Sequence, residues 1–162
     1  KEGMKPVDEA FTIFQGEIYT KTGMGKNGFQ QFSPKKMLRE QPTYYTFNGR
    51  VHGITGRHQI KTRAGNRVRL YVANMGNAKT MAFHVIGEVM DRVYYGAFNE
   101  TAGRNMETVV IGAGQAATIE LTFDRGGTYI PVDHALTRID RGAWGVINVT
   151  GKGETGLLRS VR

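Results

Sequence analysis

The amino-acid sequence predicts an all-β fold, a two-sheet sandwich with Greek-key connections. Apolar and polar residues alternate over residues 67–73 and again over residues 117–123, which is the pattern of a strand with one buried face. Strand-like runs recur at spacings of about 8–12 residues with Gly-rich turns between them, which is typical of a β-sandwich. Hydrophobic residues form 40% of the 162 residues, which is enough for one buried core.

The strand-forming runs can be followed along the chain. Residues 11–20 are the first predicted strand. A short helix is expected over residues 34–40, because Ser33 can cap its N terminus and Pro34 suits the first helical position. We expect the remaining strands at residues 44–47, 58–62, 67–73, 82–91, 92–95, 107–111, 117–123, 128–132 and 142–149, with a polar loop at 99–105 and one helical turn at 135–140.

The chain divides into three predicted regions. Residues 1–42 are expected to hold an interdomain linker, the first strand and a surface loop, residues 43–150 the β-domain, and residues 151–162 a C-terminal tail. The sequence starts at Lys1 without an initiator Met or a signal peptide, so we expect a fragment or a processed chain. No run of about 18 apolar residues occurs, so no membrane span is expected.

Composition excludes some chemistry. The sequence has no Cys, which excludes disulfides, thiolate nucleophiles and thiolate-bound metals within it. The net charge of +8 would attract an anion, but basic charge alone is a weak signal, so a solubilising surface is the preferred explanation and no nucleic-acid partner is expected.

Two histidines are the candidate functional residues. His84 lies in the apolar stretch 82–91, and His134 follows the strand-like run 128–132. Either could be a packed core residue, since imidazole readily finds partners in a β-sheet. No HxH or HExxH motif is present, so these residues alone cannot complete a metal site. His52 and His58 are expected to be structural or solvated.

Several motifs together resemble one protein family. The segment 83–88 reads Phe-His-Val-Ile-Gly-Glu, and residues 132–134 read Val-Asp-His, followed by Gly-Ala at 142–143. With the opening segment 7–20, these motifs resemble the second cupredoxin domain of copper-containing nitrite reductases. The resemblance covers nearly the whole chain and implies a cupredoxin-like sandwich.

The resemblance also implies roles for residues. In that family three subunits form a ring, and each has two cupredoxin domains. The first domain holds a blue type 1 copper and supplies two histidines and an Asp to a catalytic type 2 copper. The resemblance implies that His134 is the third ligand of a neighbour's type 2 copper and that His84 is catalytic. It implies that Ile86 is a steric wall over the copper, and that the Glu107 carbonyl and the Thr108 hydroxyl hold the His84 ring.

The implied function is the reduction of nitrite to nitric oxide, together with an N-terminal cupredoxin domain, which a separate chain could supply. A homotrimer, a small electron-donor protein, a periplasmic location and a role in denitrification are implied with it. Two alternatives remain open from the residues: a non-enzymatic β-sandwich module, and a multicopper oxidase domain, which usually carries HxH pairs.

Overall fold

Two β-sheets form the structure. The computed structural model describes residues 4–96 and 103–152. The strands are β1 (Glu9–Ile18), β2 (Tyr44–Phe47), β3 (Ile60–Arg63), β4 (Arg67–Asn74), β5 (Met81–Ile86), β6 (Met90–Tyr95), β7 (Gly103–Met106), β8 (Thr108–Ile111), β9 (Ala116–Thr122), β10 (Gly127–Asp133) and β11 (Ile147–Thr150). The helical elements are α1 (Pro34–Leu38) and two 3₁₀ turns, Gly56–His58 and Leu136–Arg138. Within the described ranges, no helix is long and apolar enough to cross a bilayer.

Strand pairing gives the two layers. The first sheet has six strands in the order β2-β1-β4-β9-β6-β7, and the second has five in the order β3-β11-β10-β5-β8. The β1–β4 and β3–β11 pairs are parallel, whereas the other strand pairs are antiparallel. The expected all-β sandwich with short helices is therefore confirmed. Ser33 caps α1 as expected, its side chain accepting a hydrogen bond from the Lys36 N–H at 3.3 Å.

The core lies between the sheets and follows the period-2 pattern. Val68, Leu70 and Val72 of β4 are fully buried, and so is Phe83 of β5. Side chains at alternate strand positions share one sheet face, so every second residue of these strands enters the core. The alternation read from residues 67–73 and 117–123 therefore identified the core faces of β4 and β9.

The face of β4 and β9 that points away from the core is more buried than the alternating sequence pattern predicts. Arg69 is 7% exposed and Glu120 is 3% exposed, and their side chains form an ion pair. Arg69 also donates to the Lys5 carbonyl at 2.6 Å. The segment before β1 lies over this face, because it supplies the Lys5 carbonyl that Arg69 contacts.

Several expected elements differ from the structure. The strand expected at 82–91 ends at Ile86, and residues 90 and 91 already belong to the next strand, β6. The strand expected at 58–62 begins at Ile60, because His58 belongs to a 3₁₀ turn. The polar loop expected at 99–105 is wrong for residues 103–105, which pair with β6 as part of β7, and its remainder lies outside the described residues. The last strand begins at Ile147 rather than at residue 142, because Gly142 has a φ of 112°, outside the β region, and because residues 144 and 145 form only isolated bridges, each to a different segment. Of the tail expected at 151–162, the residues after 152 lie outside the described part of the chain.

Truncation of a core side chain should test the packing. Leu70→Ala is expected to lower the free energy of unfolding by about 2–5 kcal/mol, because Leu70 is fully buried between the sheets. Val110→Ala is the control, since Val110 is 59% exposed; its effect should stay within about 0.5 kcal/mol. Urea denaturation measures both. Equal effects at the two positions would contradict this assignment of the core.

Candidate functional site

The two candidate histidines meet at the β5–β10 pair. His84 lies in β5 opposite Val132 of β10, and His134 directly follows β10. The His134 N–H donates to the Ala82 carbonyl at 2.8 Å, which extends the ladder by one more bond. The two rings are 5.0 Å apart between centroids and nearly perpendicular, at 84°. His134 is exposed and His84 is half-buried, so two imidazoles are presented side by side on one surface.

The His84 ring is held from the neighbouring strand β8. Its Nδ1 lies 2.6 Å from the Glu107 carbonyl oxygen and 3.4 Å from Thr108 Oγ1. A carbonyl oxygen only accepts hydrogen bonds, so Nδ1 carries the hydrogen and Nε2 is left for other partners. Thr108 lies directly opposite His84 in the β5–β8 register. The structure thus brings three of the sequence-predicted site residues together around one ring.

Ile86 lies on the same face of β5 as His84. Residues 82, 84 and 86 point away from the core, whereas Met81, Phe83 and Val85 are fully buried. Ile86 is 43% exposed. An apolar side chain therefore stands two residues along the strand from the half-buried imidazole, as the alternation of a β-strand requires.

A buried carboxylate precedes His134, and sequence reasoning did not identify it. Asp133 is fully buried. Its Oδ2 accepts hydrogen bonds from Gln15 Nε2 at 2.9 Å and from Arg138 Nη1 at 2.6 Å. Its Oδ1 accepts from the N–H groups of Ala82 and Ala135, each at 3.2 Å. The available signal was a charged residue that directly continues the apolar run Ile-Pro-Val at positions 130–132.

Arg138 is itself fixed in place. Its Nη1 also donates to the Thr80 carbonyl at 2.6 Å, and its guanidinium carbon lies 5.0 Å from the centre of the Tyr45 ring, which is within cation–π range. Burial raises the pKa of the Tyr45 hydroxyl, and the positive charge of Arg138 partly offsets this rise. Tyr45 therefore stays neutral near pH 7 and offers Arg138 an uncharged ring.

The remaining two described histidines have other partners. The His52 ring stacks on Trp144 at 5.1 Å between centroids. His58 Nε2 accepts a hydrogen bond from Arg57 Nε at 3.1 Å and lies 3.3 Å from Arg50 Nη1. Within residues 4–96 and 103–152, no group of three or more His, Cys, Asp or Glu side chains is arranged to hold a metal ion.

Comparison with known proteins places this chain in a family. The family model described as "Multicopper oxidase" matches residues 9–148. The chain belongs to the multicopper oxidase family. The match includes both histidines and every strand from β1 to β10.

Curated relatives of this chain are copper-containing nitrite reductases. That of Neisseria meningitidis serogroup A is 41% identical over 152 residues, covering 93% of this chain and 39% of the relative. That of Pseudomonas chlororaphis is 30% identical over 165 residues, covering 96% of this chain and 45% of the relative. The resemblance seen in the sequence is therefore confirmed. The chain spans less than half the length of these relatives.

Solved structures of the multicopper oxidase family agree with this fold. The copper nitrite reductase of Nitrosomonas europaea superposes with a TM-score of 0.79 at 26% identity, over 94% of this chain and 53% of that chain. A multicopper oxidase superposes with a TM-score of 0.71 at 20% identity, over 92% of this chain and 46% of that one. The second likeness shows the fold alone, whereas the first joins the fold to sequence similarity.

Proposed function

We propose that this chain is the second cupredoxin domain of a copper-containing nitrite reductase, which reduces nitrite to nitric oxide. One observation carries the proposal: β5 and β10 bring an exposed His134 and an anchored His84 within 5.0 Å of each other. The 41% identity to a copper-containing nitrite reductase supports it. Two imidazoles in different environments suit two different roles, one as a ligand and one as a proton donor.

His134 fits copper binding by its chemistry and position. Imidazole is a good ligand for copper, and the His134 ring is exposed while its backbone is tied into the sheet. One imidazole does not complete a copper site, so the other ligands would come from a first domain. The relatives are long enough to contain such a domain, because this chain covers only 39% of the Neisseria meningitidis nitrite reductase.

His84 suits proton delivery. Reduction of nitrite to nitric oxide and water consumes one electron and two protons. Copper bound at His134 would supply a Lewis-acid position for nitrite and pass on the electron. The Glu107 carbonyl accepts from the Nδ1–H of His84, so a protonated His84 ring would present its Nε2–H to the substrate, hydrogen-bond the anion and transfer that proton, one of the two consumed. Thr108, 3.4 Å from Nδ1, would help to keep the ring in this orientation.

Ile86 is proposed to act as a steric wall. Ile86→Ala is expected to leave copper content and kcat close to those of the wild type, because the change removes neither a ligand nor a proton donor. The KM for nitrite should change by about ten-fold, the lower end of the effect of reshaping an apolar pocket. Steady-state kinetics measure both constants. Val89→Ala is the matched control at 40% exposure, and loss of copper from Ile86→Ala would contradict the assigned role.

The wider assembly belongs to the same proposal and rests on the family resemblance. A first cupredoxin domain would hold a blue type 1 copper, and a type 2 copper would lie between that domain and His134 of a neighbouring subunit. A homotrimer, a small electron-donor protein, a periplasmic location and a role in denitrification complete the proposal.

The two alternatives are less well supported. A different multicopper oxidase activity is disfavoured, because the solved oxidase is only 20% identical and because the sequence has no HxH motif. A purely structural β-sandwich gives no reason for the Glu107 carbonyl to hold the His84 ring beside the exposed His134 ring.

Nitrite turnover tests the proposal directly. The assembled protein, with this chain and a first domain present, should release nitric oxide from nitrite when given a reduced donor, as followed with a nitric-oxide electrode. Removal of copper by a chelator should abolish the signal, and added copper should restore it. Turnover that is unaffected by copper removal, or absent from the copper-loaded assembly, would reject the proposed function.

A further inference from the structure

We propose that Asp133 is a positioning residue for His134, a role that sequence comparison does not assign. The inference rests on the proposed function, in which His134 binds copper. Asp133 is the residue immediately before His134, and its carboxylate is fully buried while the imidazole is exposed. The carboxylate would therefore act from inside the sandwich on a ligand that faces outward.

The carboxylate joins the two sheets. Asp133 lies in β10 opposite the core residue Phe83, so its side chain enters the space between the layers. There it accepts from Nε2 of Gln15, which belongs to β1 of the other sheet. Gln15 is fully buried, and its Oε1 has no hydrogen-bond partner among the described residues. Because burying an amide is costly, its bond to Asp133 accounts for a polar residue at this core position.

The same carboxylate fixes the backbone on both sides of His134. Oδ1 accepts from the N–H of Ala135, which follows His134, and from the N–H of Ala82 in β5. The His134 N–H donates in turn to the Ala82 carbonyl. The backbone that carries the imidazole is thus held before, at and after the histidine. A ligand ring can reach a metal reproducibly only if its Cα and Cβ are held in this way.

The groups around the Asp133 side chain are matched to two acceptor oxygens. The four groups that contact its two oxygens are all N–H donors, from Gln15, Arg138, Ala82 and Ala135. A carboxylate accepts all four bonds, whereas an asparagine amide offers one oxygen and places an NH₂ group against donors. Asp133→Asn therefore keeps the size of the side chain but leaves donors without acceptors on one side.

Asp133→Asn in the assembled, copper-loaded protein is the principal test. We expect copper at this site to bind about 10–100-fold more weakly, as is usual when a residue that orients a metal ligand is changed. Dialysis against a chelator of known affinity measures the binding. The hyperfine coupling of the remaining type 2 copper in its electron paramagnetic resonance spectrum should shift, because the ligand ring is no longer held in one orientation.

Glu120→Gln is the matched control. Glu120 is also a buried carboxylate paired with an arginine, at 3% exposure, but it belongs to β9 of the other sheet. It should lower the thermal unfolding midpoint without moving the copper affinity or the hyperfine coupling. This control separates a positioning role from general loss of stability.

A second pair of variants covers the case in which Asp133→Asn does not fold. Arg138 is partly accessible, with 16% of its side chain exposed, so substitutions there are easier to tolerate. Arg138→Met removes the charged donor to Asp133 and should weaken copper binding by about ten-fold. Arg138→Lys restores a charged donor and should recover most of the affinity.

The outcomes are distinct. Weaker copper binding with a shifted hyperfine coupling in Asp133→Asn or Arg138→Met, but not in Glu120→Gln, supports the proposal. Wild-type copper affinity and spectrum in both of the first two variants overturn it, and so do equal losses in Asp133→Asn and Glu120→Gln. If His134→Ala itself keeps the type 2 copper, the proposed function fails first. If His134→Ala loses that copper while Asp133→Asn does not, only the positioning role fails.

Discussion

His134→Ala is expected to empty the catalytic copper site and to reduce nitrite turnover to background. A site built from three imidazoles loses a primary ligand when one is removed, and an alanine methyl group cannot replace it. The blue copper proposed for a first domain should be unaffected, because none of its ligands would come from this chain. Elemental analysis combined with visible and electron paramagnetic resonance spectra of the assembled protein separates the two copper populations.

His58→Ala is the control for this experiment. His58 is an exposed histidine that contacts Arg57 and lies near Arg50, so its loss should leave copper content and turnover unchanged. Retention of type 2 copper by His134→Ala would mean that the imidazole beside His84 is not a ligand.

His84→Ala is expected to keep the copper and to lower kcat by about 10²–10⁴-fold, the usual contribution of a general acid or base. The reason is geometric. His84 Nδ1 is committed to the Glu107 carbonyl, and the ring is half-buried beside the more exposed His134. Copper analysis and steady-state nitrite kinetics on one preparation give both readouts.

The contrary results for His84→Ala are equally specific. Loss of copper from His84→Ala, with retention in His134→Ala, would reverse the two roles. Unchanged copper and turnover in both variants would make the histidines packing residues and would leave the structural alternative.

Much of the fold could be predicted because its signals are local. Alternation at Val68, Leu70 and Val72 reflects strand geometry directly, and all three side chains are buried as that pattern requires. Ser33 and Pro34 likewise mark the start of α1 through their own backbone preferences. The position of Ile86 on the face of His84 also follows from spacing along one strand.

The sequence did not predict the buried polar contacts, because these contacts join residues that are distant in sequence. Asp133 and Gln15 are 118 positions apart, and nothing near either residue indicates that a carboxylate and an amide meet inside the core. The buried Arg69 finds its partners far away in sequence, Glu120 on a strand that comes 51 positions later and the Lys5 carbonyl 64 positions earlier. Periodicity identifies the face on which a residue lies, but it does not show whether another element covers that face.

The order of the strands has a consequence for how the protein folds. The strand that carries Asp133, β10, lies between β11 and β5, and the first strand β1 pairs in parallel with β4. Sheets whose neighbours are distant in sequence fold slowly, in about milliseconds to seconds, because long loops must close before the pairing is gained. During synthesis, β5 emerges long before β10 and has no partner on that edge. The two histidines can therefore become neighbours only after β10 has been synthesised, and a nascent chain that stops before residue 127 leaves one edge of the apolar strand β5 unpaired and open to aggregation.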